Sequence, residues 1–402
     1  MSKADTRILT DADHRAAYDL VRAAQHSPPV SDTEWSYARH LYSSGLALGA
    51  FLDDTLVGTT NLLPSHLSLP GGATVPMAAA TGSGVRADHT RRGVFTSLKR
   101  ERLDLAVRRG YPVVGNIVSE ATIYGRFGHG VGTLSRAVRL RTGQARLRPD
   151  APAGGEVRLM DRASSVEELP RLYEQLGAYR PGIIGRAAPW WRAKWERPLS
   201  SGENLPVAVH HGAGSEDGFA VYRTTPNAEP GSSVTLLVTD FHAANPTAAA
   251  GLWRFLLNID LVDEVCVRRL PIDELVEGIL VNWRACRTHS VNDDLWLRLV
   301  DVPRALAARA YDDADPVVVE IIDEFLPANN GRYRISPDGV VTTTAPAHLT
   351  MDADALAMAY LGTTRFSTLA DLGRLRVDDP RALTHADRLF AAASAPFCGT
   401  VF

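Results

Sequence analysis

The chain has 402 residues, 45% of them hydrophobic and 22% charged, with a formal net charge of −3 and three cysteines. That length exceeds what one core organises and predicts three domains, the composition is that of a folded protein, and the slight acidity excludes a domain-scale basic footprint for nucleic acid. Cys266, Cys286 and Cys398 lie far apart with no Cys-x-x-Cys pair, so neither a disulfide framework nor a zinc site is indicated and a reducing cytoplasm fits.

No run approaches the roughly 18 apolar residues of a membrane span, and the polar start MSKADTRILT reads as unprocessed. Residues 11–25 and 32–44 carry helical periodicity, and each opens at an aspartate, a favoured cap. Three strands follow at 46–52, 55–69 and 73–85. Turns at Asp53-Asp54 and Pro70-Gly71-Gly72 separate them, which predicts an antiparallel meander. A helix is expected after Gly93, with Val94, Leu98 and Leu105 at helical spacing, ending at Arg108-Arg109-Gly110 before Pro112. Residues 111–119 read as a short, nearly all-apolar strand, suited to a buried parallel position. Strand, helix and strand make a βαβ unit whose ligand site lies at the start of the helix.

Pro, Ala and Gly crowd into 146–162, which marks a boundary. A new helical pattern at 165–179 opens a second mixed region running to about residue 290. There, 233–271 repeats the order strand, loop, helix, strand, but without the arginine pair and glycine at the helix mouth. This reads as an internal duplication in which one copy has lost its ligand loop. From residue 293 the texture changes to short strands at 316–325, 331–339 and 339–344, with helices at 352–362 and 385–394. The expected organisation is therefore mixed α/β and α+β in three units, 1–148, 149–291 and 292–402. The chain stops at APFCGTVF, with no charged side chain where termini are usually polar, so the tail reads as buried.

A helix N-terminus offers unpaired N–H groups and about half a positive charge, so it takes phosphate readily, and arginines add charge-assisted bonds. In the stretch from Thr90 to Ser97, Gly93 lets the backbone approach a pyrophosphate, Arg91 and Arg92 offer guanidinium groups, and Thr96 and Ser97 offer hydroxyls. The bland alternative is two arginines decorating a solvated helix start. The segment SEATIYGRFGHG, 119–130, follows the apolar strand and sets Tyr124 about one helical turn past its end, with a packed core aromatic as the alternative. Elsewhere the chemistry thins out. His210 and His211 have no third ligand nearby, so no metal is expected. PWWRAKW, 189–195, reads as core with a solvated rim rather than a base-stacking platform. Cys398 has no local His/Asp arrangement to make it a nucleophile.

The run Val85-x-Ala87-x-x-Thr90-Arg91-Arg92-Gly93 and the run from Tyr124 to His129 together resemble the two signature segments of the GNAT acetyltransferase superfamily. The first is the pyrophosphate loop; the second carries a tyrosine at the thioester sulfur. Thr90 stands where that superfamily usually has Gln or Arg, and Phe95 where it often has Gly or Ala. With the degenerate second copy and a sterol-carrier-like segment ending in Phe402, the whole chain resembles the enhanced intracellular survival (Eis) family of bacterial N-acetyltransferases. The resemblance implies two tandem GNAT folds plus a C-terminal sterol-carrier-protein-like α+β domain. It also implies acetyl-CoA as co-substrate, a homo-hexamer, and a small-molecule amine or a lysine side chain as acceptor.

By the same resemblance, Ser83, Gly84 and Val85 line the cofactor. Arg91, Arg92, Gly93, Val94, Phe95 and Thr96 cradle its pyrophosphate, and Ser119 with Glu120 flank the pantetheine arm. Tyr124 is the general acid, and the terminal carboxylate of Phe402 is the general base. Trp35 and Val401 are the acceptor-side candidates. A free α-carboxyl has a pKa of about 3.5, too low to deprotonate an ammonium unless burial raises it or it acts through water. The apolar tail supplies that burial. Some aminoglycoside-acetylating relatives carry an acidic residue just before the last; here Val401 stands there, and 23–35 is sparing in acid. A polycation needs compensating carboxylates when desolvated, so a less charged, more apolar amine is expected instead of an aminoglycoside. The rival readings are a non-enzymatic acyl-CoA or lipid carrier, against which the intact Thr90–Gly93 and Ile123–Gly128 segments argue, and a protein-lysine acetyltransferase.

Overall fold

A computed structural model describes residues 4–200, 204–226, 234–274 and 276–402; Ser233, at the head of the predicted repeat, lies outside the described residues. The first sheet contains β1 (Asp5–Ile8), β2 (Leu48–Leu52), β3 (Thr55–Ser68), β4 (Thr74–Val85), β5 (Val113–Asn116) and β6 (Gly130–Val131), in that order except that the distant strand Trp296–Leu299 lies between β5 and β6. β1 to β4 pair antiparallel as the expected meander, and β5 then runs parallel to β4. Strand β5 is shorter than the predicted 111–119, because Ile117 to Ser119 leave the ladder and line a cavity.

Two capping boxes start the first helices: Thr10 with Asp13 opens α1 (Asp11–Ala24), and Ser31 with Glu34 opens α2 (Asp32–Ala38), which tightens into a 3₁₀ turn at Arg39–Tyr42. The next helix, α3 (Val94–Arg108), lays Val94, Leu98, Leu103 and Leu105 onto Leu48, Val57, Leu62 and Val114 of the sheet. Each such aliphatic contributes about 1.5–3 kcal/mol by leaving water. Ala17 and Leu41 belong with Leu63, Leu67, Met77 and Ala79 to a larger core that runs on into the rest of the chain.

Strand β7 (Leu134–Arg141) does not belong to the first sheet. It pairs antiparallel with both Val262–Pro271 and Cys286–Asp293, inside a second sheet completed by Val234–Ala243, Glu216–Pro226, Val207–His211 and Glu156–Leu159. In exchange, Trp296–Leu299 pairs antiparallel with β5 and β6. The expected divisions at 148/149 and 291/292 therefore cut across both sheets. The cause is pairing, which loop composition does not register: the returning strand satisfies the backbone groups along β5 that a sheet edge would leave open. The parallel pair Val234–Ala243 and Val262–Pro271, joined by the helix Pro246–Leu257, reproduces β4, α3 and β5 as the repeat predicted.

The last unit is a five-stranded sheet ordered Gly339–Thr342, Gly331–Ser336, Val317–Ile322, Leu349–Asp352, Leu375–Val377. Four short helices cover it, Val302–Ala308, Ala353–Ala359, Phe366–Asp371 and Arg381–Leu389, where the sequence predicted two. Segments of six to nine residues are too short to display a period. Among the described residues no helix is long and apolar enough to cross a membrane.

Candidate active site

Pairing between β4 and β5 stops at Ala80 opposite Asn116, and beyond that point the two segments part from each other and line a shared cavity. Strand β4 bulges there: opposite β3 its register slips, so that Gly84 faces Thr59 but Thr81 faces Asn61. A bulge of this kind turns a strand's polar groups out of the ladder. Ser83 is held by Thr60, with the two hydroxyl oxygens 2.8 Å apart, and by Nη1 of Arg102, which donates to Ser83 at 3.2 Å. The splayed strands open two spaces. One, of about 350 Å³, is walled by the first helices, Asn116 to Ser119 and the end of the chain. The other, of about 800 Å³, runs along the start of α3. Ser83, Ser119 and Tyr124 line both, so they mark the junction.

The groove along α3 fits an anionic cofactor. No side chain caps the helix, because its N-cap is Gly93 with φ of +79°, and the first N–H groups of the helix are left to a ligand. A Cβ at Gly93 would meet no protein atom within 4 Å, so left-handed backbone, not crowding, calls for glycine. Arg91 is also left-handed, with φ of +61°, a conformation that costs a non-glycine residue about 1–3 kcal/mol and collects at ligand clamps. Gly84, Val85, Arg91, Gly93, Val94, Phe95, Thr96 and Glu120 line this groove with Ser83 and Ser119. Arg92 does not: it is exposed and off the wall. Glu120 caps the single turn α4 (Ala121–Tyr124), accepting from the Thr122 N–H and so fixing the entry to that turn.

Tyr124 ends α4 and is 7% exposed, yet its hydroxyl has no hydrogen-bond partner among the described residues. Beneath its ring lies a buried cluster of basic side chains that sequence reasoning missed. Lys99 Nζ sits 4.1 Å from the ring centre and 3.1 Å from His129 Nε2, and Arg102 donates to Thr60 at 3.0 Å. Lys99 and Arg102 are each 1% exposed. Burial, with Arg102 and Arg298 adding like charge, pushes both Lys99 and His129 toward neutrality, and burial brings Arg102 down to about 10. For Tyr124, burial raises the phenol above its ordinary value while Arg102 pulls the other way. The sequence carried one signal of this cluster: Lys99 and Arg102 share the inward face of α3 with Leu98 and Leu105.

Most of the tail is buried, as its composition predicted, although Val401 is exposed. Phe402 is 9% exposed and lines the smaller cavity with Val401 and Tyr124. Its carboxylate forms no ion pair among the described residues. The second sheet and its flanks hold the tail in place. Trp190 Nε1 donates to the Val401 carbonyl at 3.1 Å, the Cys398 and Gly399 N–H groups both donate to Asp294 at 3.0 Å, and the Phe397 N–H donates to the Pro181 carbonyl at 2.9 Å. Arg186 Nε donates to Thr400 at 3.0 Å while its other nitrogens grip Asp240, which also meets His242 at 2.9 Å. Burial works against ionising Asp240, but Arg186 and His242 more than offset it and hold that carboxyl below the usual range. Cys398 is fully enclosed, and burial pushes its thiol far up, so it is no nucleophile. Trp35 stands one layer back from the cavity, packed on Tyr18 and Tyr42, which do line it.

The second βαβ unit has lost the opening. Its helix, Pro246–Leu257, is capped by its own Asn245, which accepts from the Ala248 N–H and donates to Asp217. His210 meets Asp217 at 2.5 Å and accepts from the Gly155 N–H at 2.7 Å, so both ring nitrogens are engaged.

The chain matches the family described as Acetyltransferase (GNAT) domain over 5–132, a second so described over 182–299, and the Sterol carrier protein domain over 302–399. It is 37% identical to an uncharacterized N-acetyltransferase of Streptomyces coelicolor across 98% of both chains. It is 32% identical to N-acetyltransferase Eis of Mycobacterium tuberculosis across 86% of this chain and 85% of that one. A crystal structure of an Eis protein from Mycobacterium abscessus superimposes with a TM-score of 0.91 at 34% identity, covering all of both chains. With two acetyltransferase folds, a sterol-carrier fold and this likeness along nearly its whole length, the chain belongs to the Eis family of GNAT N-acetyltransferases.

Proposed function

We propose that the protein transfers the acetyl group of acetyl-CoA to a primary amine by direct attack at the junction of the two cavities. The observation that carries this is the meeting of Ser83, Ser119 and Tyr124 at that junction, with Phe402 on the acceptor side only. Bound acetyl-CoA supplies an activated acyl carbonyl and a thiolate leaving group. The uncapped start of α3 and Arg91 hold the pyrophosphate, and the unpaired edge of β4 offers backbone N–H groups to the carbonyl oxygen as it gains charge. Tyr124 delivers its proton to the departing sulfur. The Phe402 carboxylate, directly or through water, takes the proton that the amine sheds. A carrier role is disfavoured by the third unit, whose core is filled by its own Leu356, Tyr360, Phe366 and Leu389, each 0% exposed.

Release of free thiol from acetyl-CoA on addition of amines to the untagged protein tests the reaction. Acetyl-CoA is also expected to raise the melting temperature. Arg91→Ala should lose more of that rise than Arg92→Ala, and the double variant most of it. A double variant stabilised as strongly as the parent would remove the pyrophosphate from this loop. The assembly in this proposal is a homo-hexamer, for which the edge strand Cys286–Asp293, with Val291 59% exposed, leaves an open sheet border. Light scattering should give six times the chain mass of 43.6 kDa; a monomer at micromolar concentration would refute it.

A further inference from the structure

The acceptor cavity has an unusual balance of charge. Among the described residues, no Asp or Glu lines it; Arg22 and Lys194 do, and the one anion at its wall is the chain terminus. The acidic groups nearby are turned elsewhere. Asp19 accepts from the Val30 N–H, Asp32 pairs with Arg15, and Glu34 is taken by Ser31 and Arg197. Arg22 is anchored at one point, its Nε donating to the Pro28 carbonyl at 2.5 Å, which leaves both terminal nitrogens without a partner among the described residues. Lys194 sits on one turn of π-helix, Arg192–Glu196, between the short helices Ala188–Trp191 and Arg197–Ser200. Such turns are rare and gather at functional sites. Its ammonium has no ion pair or hydrogen bond among the described residues. The side chain is exposed at the cavity wall. The remaining wall is mixed, with Tyr18, Val21, Leu41 and Ile117 beside the amides of Asn61 and Asn116.

We propose that this cavity selects a primary amine whose far end carries an oxyanion, received by Arg22 and Lys194 while the amine points to the junction at Tyr124. The proposal rests on the acetyl-transfer reading and adds the substrate class. A guanidinium with two free terminal nitrogens and an unpaired ammonium are the groups that recognise carboxylate or phosphate. A polycation meets two like charges there and only one carboxylate, which the reaction itself occupies.

Four probes with one aminomethyl-benzene frame separate the charges: 4-(aminomethyl)benzoate, the matching phosphonate, 4-(aminomethyl)benzamide and 1,4-bis(aminomethyl)benzene. With untagged protein, kcat/KM should be at least about tenfold higher for the oxyanions than for the amide, with the diamine last. The benzoate-to-phosphonate ratio tells which oxyanion fits. In Arg22→Gln and in Lys194→Gln the benzoate-to-benzamide ratio should fall toward one. Parent protein that prefers the amide or the diamine overturns the proposal and leaves acetyl transfer standing, as does a ratio unmoved in the double variant. Calorimetric binding of the same probes in the presence of coenzyme A keeps the two readings apart. Oxyanion-selective binding without thiol release from any probe supports the selectivity and fails the transfer reading; unselective binding overturns the selectivity.

Discussion

One residue appended after Phe402 is expected to abolish acetyl transfer, while a tag at the N-terminus leaves it intact. An added residue moves the terminal charge by about 3.5 Å, beyond the reach of a hydrogen bond. The tail cannot slide to compensate, because Thr400, Val401, Cys398 and Gly399 are each fixed by Arg186, Trp190 or Asp294. It would also place a peptide amide where the carboxylate stood, and an amide does not accept the proton. Thiol-release assays on the two tagged forms decide it, and equal activity would take the base away from Phe402. Asp240→Asn probes the same device from behind. It strands a buried Arg186, so it should cost about 3–5 kcal/mol of stability in a denaturant titration and loosen Thr400 with it.

Tyr124→Phe should lower turnover by about 10²-fold with acetyl-CoA binding nearly unchanged, since the ring, its contact with Lys99 and its packing on Phe95 and His129 persist. The parent phenol is raised above its ordinary value, so as an acid it stays protonated through neutral and mildly alkaline pH. Turnover should therefore show no loss from this group until pH passes above 10. Coenzyme-dependent shifts in melting temperature report binding, and single-turnover thiol release reports the chemical step. Unaltered turnover in a folded Tyr124→Phe protein would leave the tyrosine as a packed aromatic.

The parts of this site that the sequence makes legible are those whose chemistry is local. Gly93 after two arginines, Tyr124 one turn beyond an apolar strand, and an uncharged tail each announce a backbone or burial requirement within a few residues. What it hides is set by distance along the chain. Nothing near Trp296 says that its strand will pair with β5, and nothing near Arg22 says that Lys194 will face the same cavity. The tract 189–195 was legible as core with a rim, because Trp190 and Trp191 are buried; that its lysine lies at a cavity depends on a π-turn that no periodicity encodes. Arg92 illustrates the converse: the sequence pairs it with Arg91, but only Arg91 lines the groove.

The exchange of strands between the first two sheets has a consequence for the protein as it is made. The ribosome releases β5 long before Trp296–Leu299, so the nascent first sheet waits with an open border until the entire second fold has emerged. Synthesis thus delivers the strands around the cavities early and the strand that closes their sheet late, so the first sheet is completed only after the second has been made.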